Sequence, residues 1–137
     1  MVSKVSTFLM FEGHAEEAMN FYVSLFPGAT VESVQRYGAG EAGTEGSVKV
    51  ASFQIHGHAF MCSDSPVKHG FTFTPSISVF VDCDDDQELT QAFQKLSNGG
   101  KVYMPLDNYG FSRRFGWVGD RFGVSWQLNW PAVHTPE

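Results

Sequence analysis

Residues 15–28 read AEEAMNFYVSLFPG, and this stretch sets the frame for its surroundings. Ala15, Ala18, Met19, Tyr22, Leu25 and Phe26 recur at helical spacing, with Glu16, Glu17, Asn20 and Ser24 opposite, and Pro27-Gly28 stops the run. The pattern predicts one amphipathic helix. Upstream, Val5 to Phe11 is short and apolar and is broken by Glu12-Gly13, so it reads as a strand. Downstream, Thr30 to Tyr37, Ser47 to His56 and His58 to Ser63 are strand-like and separated by glycine-bearing turns. The first half is therefore βαβββ.

The second half repeats that order. Ser76 to Cys83 reads as a strand. Asp84 to Asn98 carries Leu89, Ala92, Phe93 and Leu96 on one helical stripe before Gly99-Gly100. Strands follow at Lys101 to Leu106, Ser112 to Val118 and Val124 to Trp130. Asp85 and Glu88 form a D-x-x-E capping pair, which assigns the acidic run at Asp84, Asp85 and Asp86 to helix-dipole chemistry rather than to a metal. Shifting the halves by 72 positions aligns Glu16 with Glu88, Phe21 with Phe93 and Gly28 with Gly100. The predicted fold class is α+β, with two βαβββ modules (about residues 1–66 and 75–131, then a short tail) whose curved mixed sheets enclose a cavity in a single domain over 1–137.

Composition narrows the functional classes. The 137 residues hold nine Lys and Arg against fifteen Asp and Glu, a net charge of −6, which disfavours nucleic acid and anionic membranes as partners. No apolar run reaches membrane-spanning length. Cys62 and Cys83 lack CxxC spacing and no targeting segment is read, so a reducing, cytoplasmic setting is expected. Aromatic residues make up 15% of the chain, enough to expect some of them around a small-molecule pocket.

Several motifs carry a family resemblance: Phe8-Leu9-Met10-Phe11, Ala15 to Tyr22, Leu25-Phe26-Pro27-Gly28, Gly57-His58-Ala59-Phe60-Met61 and Gly123 to Leu128. Together they resemble the PhnB-like branch of the vicinal oxygen chelate superfamily, the glyoxalase, bleomycin-resistance and dioxygenase group. This branch is often labelled 3-demethylubiquinone-9 3-methyltransferase. The resemblance implies paired βαβββ modules, a homodimer, and metal ligands on strands one, four, five and eight in metal-dependent members. Carried onto this chain, those slots fall at Thr7 on strand one, at Ser76 or Ser78 on strand five and at Gln127 on strand eight, with Cys62 and Asp64 the nearest donors on strand four. Borderline divalent ions favour imidazole and carboxylate, so this is a poor donor set. No cofactor is expected. If a divalent metal binds, the candidate ligands are His56, His58, Asp64 and Gln127. His14, His69 and His134 read as surface or loop residues.

Strand eight alternates Val124, Trp126, Leu128 and Trp130 with Ser125, Gln127 and Asn129, so the apolar row belongs under a helix while the polar row faces either a cavity or water. The expected ligand-binding residues are Thr7, Ser76, Ser78, Gln127, Tyr109, Arg114 and Trp117. Arg114, or its neighbour Arg113, either clamps an anion at the pocket mouth or makes a surface ion pair. The leading expectation is a small-molecule-binding protein lacking the usual metal site. The alternative is a metal-dependent lyase or isomerase of the glyoxalase type. Methyl transfer is disfavoured: the one G-x-G-x-x-G, at Gly38, Gly40 and Gly43, leads into a strand rather than a helix.

Overall fold

A computed structural model describes residues 1–133, so His134 lies outside the described residues. The chain divides into two compact units, Met1–Gly70 and the residues from Phe71 onward. Each carries one helix on an open four-stranded mixed sheet, the α+β repeat expected from sequence.

In the first unit, β1 (Thr7–Phe11), α1 (Ala15–Leu25), β2 (Thr30–Arg36), β3 (Val48–Ile55) and β4 (His58–Asp64) form a sheet of order β1-β4-β3-β2. β1 runs parallel to β4 and the other pairs are antiparallel. Ala15, Ala18, Met19, Tyr22 and Leu25 are the buried stripe of α1. The Tyr22 ring lies 6.3 Å from that of Phe53, which stacks on Phe60 at 4.9 Å, so Phe53, Phe60 and their register partners form the α1 side of the sheet. β3 and β4 join through His56 (φ 49°) and Gly57 (φ 80°), the left-handed pair required by a two-residue hairpin loop.

In the second unit, β5 (Ser78–Asp82), α2 (Asp86–Ser97), β6 (Lys101–Asp107), β7 (Arg114–Gly119) and β8 (Ser125–Trp130) form a sheet of order β5-β8-β7-β6, with β5 parallel to β8. Leu89, Ala92, Phe93 and Leu96 of α2 are buried, and Trp126, Leu128 and Val118 are fully buried with them. A Cβ on Gly116 would stand 2.5 Å from Phe93 Cε2, which identifies the row containing Gly116 and Val118 as the α2 side. Tryptophan Nε1 of residue 126 donates to the buried carboxylate of Asp120, which also accepts from the Phe122 and Val124 amides and ties the β7–β8 turn to the core.

The two helices start differently. At α2 the predicted cap is present: the Asp85 side chain accepts from the Glu88 amide at 2.8 Å. At α1 the N-cap position is His14, whose side chain makes no capping bond. Asp64, at the end of β4, supplies the acceptor instead. Its Oδ1 takes the Gly13 and Ala15 amides at 2.8 and 2.9 Å, and its Oδ2 takes the Val48 amide at 3.1 Å.

Three strand starts fall two residues later than expected, among them that of β7, which begins at Arg114 rather than Ser112. β1 begins at Thr7, leaving Val5 80% exposed outside it. β5 begins at Ser78, because Pro75 and Ser76 form a turn in which Ser76 Oγ bonds Thr74 Oγ1 at 2.7 Å.

Candidate functional site

The sheet of the second unit has one face under α2 and one opposite, and the residues of the second face follow from register. Ser78 pairs with Ser125, Phe80 with Gln127 and Asp82 with Asn129. Across β7, Gln127 pairs with Trp117 and Asn129 with Phe115. Paired residues share a face and alternate residues along a strand return to it. The face opposite α2 therefore carries Ser78, Ser125, Gln127 and Trp117 as one neighbourhood.

These four side chains are joined by hydrogen bonds. The Trp117 indole N–H donates to Ser125 Oγ at 2.8 Å, Ser125 Oγ and Ser78 Oγ lie 2.6 Å apart, and the Gln127 amide donates to Ser78 Oγ at 3.2 Å. Ser125 is buried, whereas Ser78, Gln127 and Trp117 are half-buried. Tyr103 flanks Trp117, with ring centroids 4.9 Å apart. Farther along the face Phe115 is buried, with the rings of Phe111, Tyr109 and Phe80 at 5.1, 6.1 and 6.3 Å. Tyr109 is fixed by its hydroxyl, which donates to the Pro105 carbonyl at 2.6 Å. The result is a chain of neutral polar groups bordered by aromatic rings, a lining suited to a small, partly polar organic molecule.

A model of the family described as 3-demethylubiquinone-9 3-methyltransferase matches residues 3–129. The chain belongs to this family. A Bacillus cereus PhnB protein bearing the same description is 51% identical, with 93% of this chain and 99% of that one covered at a TM-score of 0.90. The protein PA1353 of Pseudomonas aeruginosa is 26% identical, covering 96% and 100% of the two chains at a TM-score of 0.83. A glyoxalase/bleomycin resistance protein/dioxygenase from Nocardioides, 20% identical over 100% of this chain and 91% of its own, shares the fold at a TM-score of 0.54. The Bacillus cereus relative marks the chain as PhnB-like, and the Nocardioides likeness shows that its fold is shared with a glyoxalase/bleomycin resistance protein/dioxygenase. Its described sheets are not the doubly wound parallel sheet of a Rossmann-type cofactor site, and Gly38, Gly40 and Gly43 lie in the loop between the antiparallel strands β2 and β3.

Of the residues expected from sequence, Ser78, Gln127 and Trp117 come together in the network, and Tyr109 stands over Phe115 on the same face. Three expected residues lie elsewhere. Ser76 is outside β5, in its turn. Thr7 pairs with Phe60 and is therefore on the α1 side of the first sheet, where its hydroxyl lies 3.0 Å from His58 Nε2; the β1 residues on the opposite face are Phe8 and Met10. Arg114 lies on the α2 side and bonds Asp86 Oδ1 at 2.7 Å and Thr90 Oγ1 at 2.8 Å. Arg113 donates to the Pro131 carbonyl and lies over the Trp130 ring, so neither arginine is shown clamping an anion.

The metal ligand set fits poorly for geometric reasons. His58 and Asp64 stand at opposite ends of β4, about 20 Å apart by strand rise. Both Asp64 oxygens already accept backbone amides, and His56 sits in the hairpin turn. Among the described residues no three His, Cys, Asp or Glu side chains converge as a metal site would require. The thiols are poor nucleophiles as well. Burial, reinforced by the Asp64 carboxylate, pushes Cys62 up to about 12, and burial with Glu88 and Asp82 does the same for Cys83.

Sequence reasoning left Tyr103, Phe80, Phe115, Ser125, Asp82 and Asn129 out of the site. Ser125 and Asn129 were readable from the period-two row of β8 and Phe80 from that of β5, whereas Tyr103 and Phe115 required knowledge of which strands are neighbours.

Proposed function

We propose that this PhnB-like protein binds a small, partly polar organic molecule on the face of its second sheet opposite α2, using neutral hydrogen-bonding groups instead of a metal. The observation carrying this reading is the Trp117–Ser125–Ser78–Gln127 network. Three strands contribute to it, and its internal bonds hold each polar group in place before a ligand arrives, which lowers the cost of ordering on binding. Gln127 Nε2 is engaged with Ser78, which leaves Oε1 to accept from a ligand. The glyoxalase-type alternative needs a charged, converging ligand set, and the donors placed above do not form one. Methyl transfer, the reaction in the family description, needs a cofactor cradle that neither sheet provides in the Rossmann form.

A fragment screen followed by 15N NMR tests the reading through the Trp117 indole N–H resonance, which reports from the centre of the network. Small molecules bearing both a ring and a hydrogen-bonding group are expected to shift it. Gln127→Ala should weaken such binding at least about fivefold, the loss of one hydrogen bond, while elemental analysis shows the same metal content in both proteins. A near-stoichiometric transition metal in the native protein that disappears in Gln127→Ala would overturn the proposal.

A further inference from the structure

The row next to the network has a different chemical character. It runs Asp82 on β5, Asn129 on β8, Phe115 on β7 and Asp107 on β6, all in register on the face opposite α2. Asn129 is only 8% exposed, and its Nδ2 donates to Asp82 Oδ1 at 2.8 Å. A carboxylate can only accept, so this bond fixes the amide orientation and turns Oδ1 the other way. That oxygen is buried and has no hydrogen-bond partner. A buried carbonyl without a donor is costly, and such groups commonly await a ligand or a water.

The surroundings of that acceptor are aromatic and negatively charged. Phe115 adjoins Asn129 in the row, with Phe111, Tyr109 and Phe80 grouped around its ring. Phe80, Phe111 and Tyr109 are 54%, 58% and 38% exposed, so their faces remain available. Asp82 and Asp107 are exposed at the two edges of the row, and Asp84 and Asp85 follow Asp82 closely in the chain. Of the two nearby arginines, Arg114 is paired with Asp86 on the other side of the sheet, and Arg113 donates to the Pro131 carbonyl and lies over the Trp130 ring. Lys101 shares the face but lies over Tyr103 on the far edge strand, about 14 Å of sheet width from β5.

Resting on the binding site proposed above, we infer that the Asp82–Asn129–Phe115 row is a subsite for a cationic N–H donor of the ligand, an ammonium or amidinium group carried on an apolar body. Asn129 Oδ1 accepts one N–H, the Asp82 carboxylate balances the charge, and the aromatic rings hold the cation and its body. The same row repels carboxylates and phosphonates.

Three probes of similar shape separate this inference from the binding reading itself: 2-phenylethylammonium, 2-phenylethanol and 3-phenylpropanoate. Each is titrated into the full chain while the Asn129 side-chain amide and the Trp117 indole are followed by NMR. The ammonium is expected to bind at least fivefold more tightly than the alcohol, with the carboxylate weakest. Asp82→Asn should bring the ammonium to within about twofold of the alcohol, both measured on the variant. Carboxylate binding equal to or tighter than ammonium binding, or an ammonium affinity unchanged by Asp82→Asn, would overturn the subsite. If the fragment screen finds ligands at Trp117 while the ammonium gains nothing over the alcohol, the subsite fails and the binding reading stands. If that screen finds no ligand at Trp117, the binding reading fails and takes the subsite with it.

Discussion

Replacing Asp64 by Asn tests whether this carboxylate is a structural acceptor or a ligand for something else. In the native protein it accepts three backbone amides, those of Gly13, Ala15 and Val48. An asparagine keeps the shape but has one accepting oxygen. With Oδ1 turned toward Gly13 and Ala15, its NH2 faces the Val48 N–H, and two donors meet where an acceptor stood. The lost charge-assisted bond is worth about 1.5–3 kcal/mol, and leaving a buried donor unsatisfied adds about 1–3 kcal/mol. A total cost of roughly 3–5 kcal/mol is a large part of the ~5–15 kcal/mol stability typical of a domain. At about 3 °C per kcal/mol for a chain of this size, the melting temperature should fall by roughly 10–15 °C. Circular dichroism melts supply that number, and hydrogen exchange should accelerate most at Gly13, Ala15 and Val48. A shift below about 2 °C with unchanged exchange at those amides would refute the assignment.

Two further outcomes follow from packing. Because burial holds Cys62 and Cys83 with thiol pKa values of about 12, neither should react with a disulfide reagent at pH 8 until the protein unfolds; labelling of the native chain within minutes would show that one of them is accessible. Gly116→Ala would place a Cβ 2.5 Å from Phe93 Cε2 and 2.8 Å from Leu106 Cδ2, so the Phe93 and Leu106 side chains must give way and denaturant unfolding should show a loss of about 1–3 kcal/mol; a stability equal to the native protein's would mean that these side chains are packed less tightly against β7 than described.

The repeat was legible in the sequence because its signals are local. The helical stripe from Ala15 to Phe26, the Asp85–Glu88 cap and the His56-Gly57 turn each depend on residues within a few positions of one another. The polar row of β8 was equally readable, since strand alternation is local too. Thr7 shows where that information ends. A one-residue change in register moves a side chain to the other face of a sheet, and only the pairing of β1 with β4 reveals that Thr7 stands beside His58 on the α1 side. Arg114 and Asp64 depend on partners remote in the chain, Asp86 and Thr90 for the one and the amides ahead of α1 for the other. Composition gave no means of choosing those partners over a ligand.

The contrast between the helix caps has a consequence for the order in which the chain takes shape during synthesis. Asp85 lies beside the helix it caps, so α2 can start as soon as its own residues are free of the ribosome. The acceptor for the start of α1 is 51 residues beyond Gly13, and a helix of 11 residues is marginal by itself in water. Until β4 has emerged and returned to the sheet, the first helix therefore remains a transient structure with a frayed beginning. The start of the first-synthesised helix is thus bound to a late event, whereas α2, of similar length at 12 residues, has its cap acceptor at hand as soon as it emerges.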